Sequence, residues 1–387
     1  MTGALLDRMP LDQDEADALS VHGTFMSVHQ IYEVVSDNLA IGLAAPGVTA
    51  AVPAGQEREE VLRLFNPAAA ESLRAMDSRP ARAAFAGWEN PARRISAFRS
   101  SNNEAEHRAL AAAFGREHPG EDPAGLEFSV APCLLANITS GLAMADVVRS
   151  LATWDLFITG LARRYTAVQR LLIERPTDLE ALLGIGTDSI MVVSTIAYYT
   201  GLINEVVRPL PAYAHVLDDG SVQRLLTDAA LLVRLVNDVG TRLLEQAPQD
   251  RRQLVARLRA AAVASPAGDL AQVLWQAQAA EGALLTRLKK DVGFGEFNVC
   301  LDGIRHLPGQ EGLAHFEDRL DRVTTLYRRT VDSLTRGAAE LRARTGSPLV
   351  GAPALCFVRF HQELYRKTFD DQMGDYAVAL SRPDRRE

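Results

Sequence analysis

Cysteine is scarce in this sequence of 387 residues, and the cysteines that it has are widely separated. Cys133, Cys300 and Cys356 lie far apart in the chain and form no C-x-x-C pair. Zinc sites and disulfide frameworks depend on closely or regularly spaced cysteines. We therefore expect neither kind of site, and we expect a reduced, cytoplasmic setting.

Long apolar runs and an excess of positive charge are also missing. No run of 18 apolar residues occurs, and residues 1–16 are acidic and lack the basic and apolar regions of a signal peptide. The sequence therefore predicts neither a signal peptide nor a membrane span. The formal net charge of −8 disfavours a nucleic-acid partner and an anionic membrane surface.

Alternating β-strand patterns and paired metal-binding histidines are absent as well. The eight histidines form no H-x-x-x-H pair, and the only E-x-x-H string, Glu104 to His107, has no second copy. Zinc proteases and ferritin-like di-iron proteins are therefore disfavoured. Helical periodicity runs through most of the chain, and 47% hydrophobic residues suffice for a large core. We predict one all-α domain over residues 1–387, with residues 1–55 as an N-terminal helical extension.

The most informative stretch is residues 234–245, which lies in a segment predicted to be one long buried helix. Apolar residues recur there at the three- and four-residue spacing of a helix. Asn237, Thr241 and Glu245 stand at i, i+4 and i+8, so a continuous helix places their oxygen atoms on one face. Amide, hydroxyl and carboxylate oxygens suit Mg²⁺, and the guanidinium of Arg234 suits a diphosphate.

The same residues also have a purely structural interpretation. Arg234 and Asp238 are four residues apart and can form an ion pair within the helix, while Glu245 is solvated. In the metal-site interpretation, Asp238 points about 100° away from the ligand face and supports the ligands without binding the metal. Both interpretations stay open at the level of the sequence.

A predicted helix break precedes this stretch. Residues 184–187, Gly-Ile-Gly-Thr, interrupt the helical pattern before a very apolar helix over residues 189–206. Gly186, Ser189 and Ile190 mark the break. A helix opened inside a cavity exposes carbonyl and hydroxyl oxygens that can stabilise a cationic intermediate. The alternative is a plain glycine turn between two core helices.

Residues 234–245, R-L-V-N-D-V-G-T-R-L-L-E, resemble the second metal-binding motif of class I terpene synthases, the NSE/DTE motif. Other stretches resemble labdane-related, kaurene-synthase-like members of that family. Residues 186–211 resemble the broken helix that precedes the motif in those enzymes. Residues 295–301 resemble their short N-(A/C)-V segment. Residues 352–371, which include Tyr365, resemble their C-terminal ending. The resemblance covers residues 155–376.

The first metal motif of that family, D-D-x-x-D, has no counterpart in this sequence. The nearest acidic and amide cluster is residues 102–106, with Asn103, Glu104 and Glu106 as candidate ligands. Residues 37–38, Asp-Asn, are a second candidate much earlier in the chain. A helix start at residues 102–106 and a helix end at residues 37–38 are the structural alternatives.

The resemblance implies an all-α class I terpene synthase fold, a helical bundle around an apolar cavity. It implies that Mg²⁺, bound through Asn237, Thr241 and Glu245, assists the loss of diphosphate from copalyl or geranylgeranyl diphosphate. Arg234 and Tyr365 would act at the reaction centre, and the carbocation would be cyclised and then quenched by deprotonation or water. The prenyl diphosphate is the expected partner, and a homodimer is compatible with this function.

Three rival classes remain. A prenyl-chain elongator is disfavoured because the paired D-D-x-x-D motifs are absent. A helical oxidase or cofactor binder is disfavoured by the histidine pattern. The third is a non-catalytic or divergent helical isoprenoid-binding protein that retains one metal motif, and the missing first motif favours it.

Overall fold

The computed structural model describes residues 8–40, 55–86, 116, 130–264, 268–277 and 279–367. These residues are mostly helical, and they contain no β-strand, which confirms the all-α prediction. The candidate ligands Asn103, Glu104 and Glu106 lie outside the described residues. Residues 37–38 belong to the last turns of the first helix, but their side chains are not described.

The described helices are as follows in chain order: α1 (Gln13–Ala40), α2 (Gly55–Ala75), α3 (Arg79–Phe85), α4 (Val130–Val148), α5 (Trp154–Glu174), α6 (Leu179–Asp188), α7 (Val192–Gly201) with a π-helical turn (Leu202–Val207), α8 (Tyr213–Asp218), α9 (Ser221–Val239), α10 (Thr241–Leu244), α11 (Pro248–Ala264), α12 (Leu270–Trp275), α13 (Ala279–Gly282), α14 (Thr286–Phe294), α15 (Gly309–Thr345), a 3-10 turn (Pro348–Val350) and α16 (Ala352–Leu364).

Helix α9 is the central helix of the carboxyl-terminal part of the protein. It packs against α6, α7, α14, α15 and α16. Every residue from 232 to 236 is buried, including the apolar Leu232, Val233, Leu235 and Val236. The first turns of α9 keep an exposed polar face, whereas neighbours cover its carboxyl-terminal half on nearly all sides. This packing places residues 234–239 deep inside the protein.

The amino-terminal part is built from α1 packed along α4 and α2 packed along α5. Polar side chains join these helices in the interior. His29 of α1 lies 3.1 Å from the carbonyl oxygen of Asn137, and Tyr165 donates to the Asn137 side-chain oxygen at 2.6 Å. Burial lowers the pKa of His29 to about 4, so this imidazole is neutral at pH 7.

Local signals in the sequence fix several helix ends. The Asp178 carboxylate accepts from the Ala181 backbone N–H at 3.0 Å and so caps the first turn of α6. Asp269 caps α12 in the same way through the N–H of Gln272. Helix α15 ends at Gly346, whose φ of 72° suits a residue without a side chain.

The sequence predicted neither a disulfide framework nor a membrane span. Cys133, Cys300 and Cys356 are all free in the structure, and burial raises the pKa of the Cys300 thiol to about 12. In the described ranges no single helix is long and apolar enough to cross a membrane. The bent pair of Leu179–Asp188 and Val192–Val207 has the length and the composition of a membrane span only when its two helices are taken together.

Candidate functional site at the end of the central helix

The central helix ends inside the stretch that was predicted to be continuous. Helix α9 stops at Val239, Gly240 has φ 86° and ψ 140°, and the short helix α10 begins at Thr241. A residue with a side chain rarely adopts this backbone conformation, and a Cβ there would lie 3.2 Å from the Cγ of Arg287. The prediction of one unbroken helix is therefore wrong. Asn237 lies before the break, whereas Thr241 and Glu245 lie after it.

A buried ion pair joins Arg234 and Asp238 one turn before the break. The Arg234 guanidinium donates to Oδ1 of Asp238, and the two side chains are 7% and 0% exposed. Oδ2 of Asp238 accepts from the Val299 backbone N–H at 2.8 Å. The four-residue pairing that the sequence allowed is thus present. The charge of Arg234 is balanced within the protein.

Helix α6, the first part of the bent pair, packs directly on Arg234. The Arg234 guanidinium lies 5.4 Å from the centre of the Phe297 ring. A Cβ built on Gly186 would lie 2.9 Å from that ring and 3.3 Å from Cδ of Arg234. Glycine at position 186 therefore allows α6 to approach Arg234 and Phe297 closely.

The helix break before the motif is present, but it lies later than the sequence predicted. Residues 184–187 belong to α6, which continues to Asp188, and the chain bends by 41° between α6 and α7. The hydroxyl of Thr187 donates to the Leu183 carbonyl at 2.7 Å, and that of Ser189 donates to the Gly186 carbonyl at 2.9 Å. Ser189 is buried at the bend and Ile190 is half-buried. Of the two glycines of α6, Gly186 is used for close packing, and the bend follows it.

Asn237 is held by an arginine from a neighbouring helix. Arg287 of α14 donates to the Asn237 side-chain oxygen at 2.7 Å and to its backbone carbonyl at 2.8 Å. The same guanidinium lies 4.6 Å from the centre of the Tyr365 ring. Arg287 is almost fully buried. It therefore connects the end of α9 to the end of α16.

Thr241 and Glu245 are both held by the residues that end α16. The buried hydroxyl of Thr241 donates to the Gln362 carbonyl at 2.7 Å, and its backbone N–H donates to the Tyr365 carbonyl at 3.3 Å. Both carboxylate oxygens of Glu245 accept from Arg366, at 2.6 and 2.8 Å. Each of the two predicted ligands thus has a protein partner.

Tyr365, the predicted reaction-centre residue, is half-buried at the end of α16. Its ring is in contact with Arg287, and the ring centre of the buried His361 imidazole is 5.9 Å away. Burial lowers the pKa of His361 to about 4. The structure therefore places Tyr365 beside the motif, with a neutral imidazole on one side.

Asn298 is a buried hydrogen-bonding junction of this region. Its side-chain nitrogen donates to the Asp238 carbonyl at 2.9 Å and to Oδ2 of Asp291 at 2.7 Å. Its side-chain oxygen accepts from the Cys300 backbone N–H at 2.9 Å. One buried amide thus joins the end of α9, the end of α14 and the turn that follows. The resemblance marked residues 295–301, but nothing in the sequence indicated these partners.

The chemistry of Asn237, Thr241 and Glu245 fits a magnesium ion, whereas their arrangement does not. Amide, hydroxyl and carboxylate oxygens are suitable ligands. Here the helix break separates Asn237 from the other two, Thr241 is fully buried, and Arg366 covers both oxygens of Glu245. Among the described residues no three His, Cys, Asp or Glu side chains form a metal-binding group. The magnesium site therefore stays a prediction.

Comparison with known proteins does not decide the family. The chain matches no protein-family model, no curated protein and no solved structure. The terpene synthase resemblance therefore stays a prediction that rests on the motif residues.

A surface cleft lies elsewhere on the protein. It has a volume of ≈ 610 Å³ and runs between α6 and α15, with Leu179 and Leu183 beside Glu180, Glu317 and Asp318. None of residues 234–245 lines it. Its mixed apolar and charged lining differs from the apolar cavity that the resemblance implies.

Proposed function

We propose that this protein is a class I diterpene synthase that acts on copalyl or geranylgeranyl diphosphate. The observation that carries the proposal is the packing of the bent helix pair against Arg234 of the motif. Gly186 of α6 lies against both Arg234 and Phe297, so this helix, the cation and an aromatic face are brought together just before the bend. A diphosphate requires cations, and a carbocation is stabilised by oxygen dipoles and aromatic faces.

The proposed reaction begins when the allylic C–O bond breaks and its electron pair leaves with the diphosphate. The resulting carbocation cyclises, then loses a proton or takes up water. In this proposal Arg234 donates hydrogen bonds to the departing diphosphate, and Asp238, which balances its charge, holds its side chain in one orientation. The Phe297 ring and the oxygens at the bend supply electron density for the cation. No metal step is assigned, because the described arrangement does not form a magnesium site.

A second candidate is a non-catalytic or divergent helical isoprenoid-binding protein. The favouring observation is that Asn237, Thr241 and Glu245 are each bonded to a neighbouring helix or its end. Such contacts give the motif a purely structural role, in which it joins α9, α14 and α16. This candidate retains the fold and the motif without turnover.

We expect the protein to convert one of the two diphosphates into a diterpene hydrocarbon or alcohol, and assays with and without Mg²⁺ test the predicted metal dependence. Glu245→Ala removes a predicted ligand and should lower the rate of product formation by about tenfold or more, as loss of one transition-state interaction commonly does. The measurement is gas chromatography with mass detection, together with an assay of released diphosphate.

The matched control for this assay is Glu174→Ala. Glu174 is also an exposed glutamate that pairs with an arginine, Arg170, but it lies at the end of α5 and outside the motif. Its loss should leave product formation unchanged. A folded wild-type protein that releases no diphosphate from either substrate would exclude the synthase and leave the binding protein.

A further inference from the structure

Helix α1 is apolar on two opposite faces. Its inner face, which includes Leu19 and Met26, is buried in the amino-terminal part of the protein. The large apolar side chains of its outer face are between 40% and 66% exposed, and they are Val21, Phe25, Val28 and Ile31. We call these four residues the α1 stripe. Because a helix turns once every 3.6 residues, residues at this spacing lie along one side of it.

On the other described helices, the well-exposed large apolar side chains stand singly. Each lies on a different element, as Leu64 does on α2, Ile173 on α5 and Val263 on α11. Single exposed apolar side chains are normal on a protein surface, whereas several side by side mark an interaction site. The α1 stripe therefore requires a partner, and the single residues do not.

The charges of α1 limit what that partner is. The helix contains no lysine or arginine, and Asp14 and Asp17 are exposed in the turns before the stripe. Nucleic acids and anionic membrane surfaces attract basic surfaces, so this acidic helix repels them. An amphipathic helix of a protein suits the stripe, because its apolar face can cover the four side chains along several turns.

A second copy of α1 matches the stripe when the two helices run antiparallel. A two-fold axis near residue 26 places Val21 opposite Ile31 of the partner subunit and Phe25 opposite Val28 of the partner subunit. The two copies of Asp17 are then about 27 Å apart at about 1.5 Å per residue, well beyond the screening length of about 8 Å. Parallel helices would instead bring the two copies of Asp17 face to face.

We propose that the α1 stripe is the contact of a homodimer, in which α1 of one protomer packs antiparallel to α1 of its partner. The contact is isologous, because each protomer offers the same four side chains. It is also small, since stable interfaces use roughly 20–30 residues a side. We therefore expect a weak dimer, with a Kd of about 10–100 μM. The dimer requires neither a metal nor a substrate, so it is compatible with the synthase and with the binding protein alike.

Sedimentation velocity of the full-length protein, at concentrations of about 1–300 μM, measures the dimer directly. The wild type should change from monomer to dimer across this range. Ile31→Glu should weaken the dimer by about tenfold or more, because it places an unpaired carboxylate in an apolar contact. The matched control is Ile173→Glu, since Ile173 of α5 is also an exposed isoleucine, at 57% against 66%. This control should leave the Kd unchanged.

A pair of introduced charges tests the antiparallel arrangement. Val21→Glu and Ile31→Lys should each weaken the dimer when made alone. The double variant should bind about fivefold or more tightly than either single variant, because each new carboxylate faces a new ammonium group across the two-fold axis. In a parallel pair, each position faces its own copy, so the double variant would dimerise less than either single variant.

The outcomes separate the parts of this proposal, with circular dichroism to verify that each variant is folded. A wild type that stays monomeric at the highest concentration overturns the homodimer and leaves the stripe to a different protein helix. A dimer that Ile31→Glu does not weaken overturns the contact through α1. A double variant that binds no more tightly than the single variants overturns the antiparallel arrangement. None of these results changes the standing of the proposed synthase reaction.

Discussion

Replacement of Asp238 by alanine is expected to lower the free energy of unfolding by about 3–5 kcal/mol. Asp238 is fully buried, pairs with the buried Arg234 and accepts from the Val299 N–H. Its removal leaves a guanidinium in the interior without its counter-charge, and water cannot solvate it there. Urea unfolding followed by circular dichroism gives the free energy. Asp238→Asn keeps the size of the side chain and one acceptor oxygen, so it should lower the free energy of unfolding by less than Asp238→Ala does.

The control for Asp238 is an exposed pair with the same spacing and order. Arg170 and Glu174 also stand at i and i+4, with side chains that are 49% and 45% exposed. Glu174→Ala should leave the urea midpoint unchanged, because water solvates the arginine that remains. Equal effects of the two substitutions would show that the Arg234–Asp238 pair is not buried as described.

Asn298→Leu is expected to lower the free energy of unfolding by about 3 kcal/mol or more, although leucine keeps the branching of the asparagine side chain at Cγ. The substitution leaves the Asp238 carbonyl, the Asp291 carboxylate and the Cys300 N–H without their shared partner. Each buried polar group that loses its hydrogen bond costs about 1–3 kcal/mol, and more when it is charged. Urea unfolding is again the measurement.

Gln310→Leu provides the comparison for Asn298. Gln310 is exposed at the start of α15 and makes one hydrogen bond, to the Arg259 carbonyl at 2.9 Å. Its replacement should change the free energy of unfolding by at most about 0.5 kcal/mol. A similarly small effect of Asn298→Leu would mean that Asn298 does not join α9, α14 and the following turn.

The sequence predicted those features that depend on local pattern. Apolar periodicity over residues 225–244 predicted a buried helix, and α9 is the central helix of its part of the protein. The four-residue spacing of Arg234 and Asp238 allowed the ion pair that is present. Such features follow from neighbours in the chain, so they are visible without a structure.

The sequence did not predict features that depend on distant parts of the chain. One glycine inside a helix costs only about 1 kcal/mol relative to alanine, so Gly240 did not by itself indicate a break. Gly240 packs against Arg287 and Tyr365, which lie far along the chain, so these contacts could not be read from the local sequence. The partners of Asn298 and the contact between Arg366 and Glu245 are likewise long-range. Gly186 was taken as part of a helix break, whereas it provides a close contact for Arg234.

The helix break at Gly240 separates the predicted ligands. The effect of a side chain at position 240 on the free energy of unfolding therefore tests the structural account most directly. The comparison is Gly240→Ala with Gly184→Ala, by urea unfolding. Gly184 is an exposed glycine inside α6 with open space around it, so alanine there should stabilise the protein by about 0.5–1 kcal/mol. At Gly240, with φ 86°, alanine should destabilise it by about 1–3 kcal/mol. Stabilisation by both substitutions would contradict the break and restore one continuous helix that carries Asn237, Thr241 and Glu245 on one face.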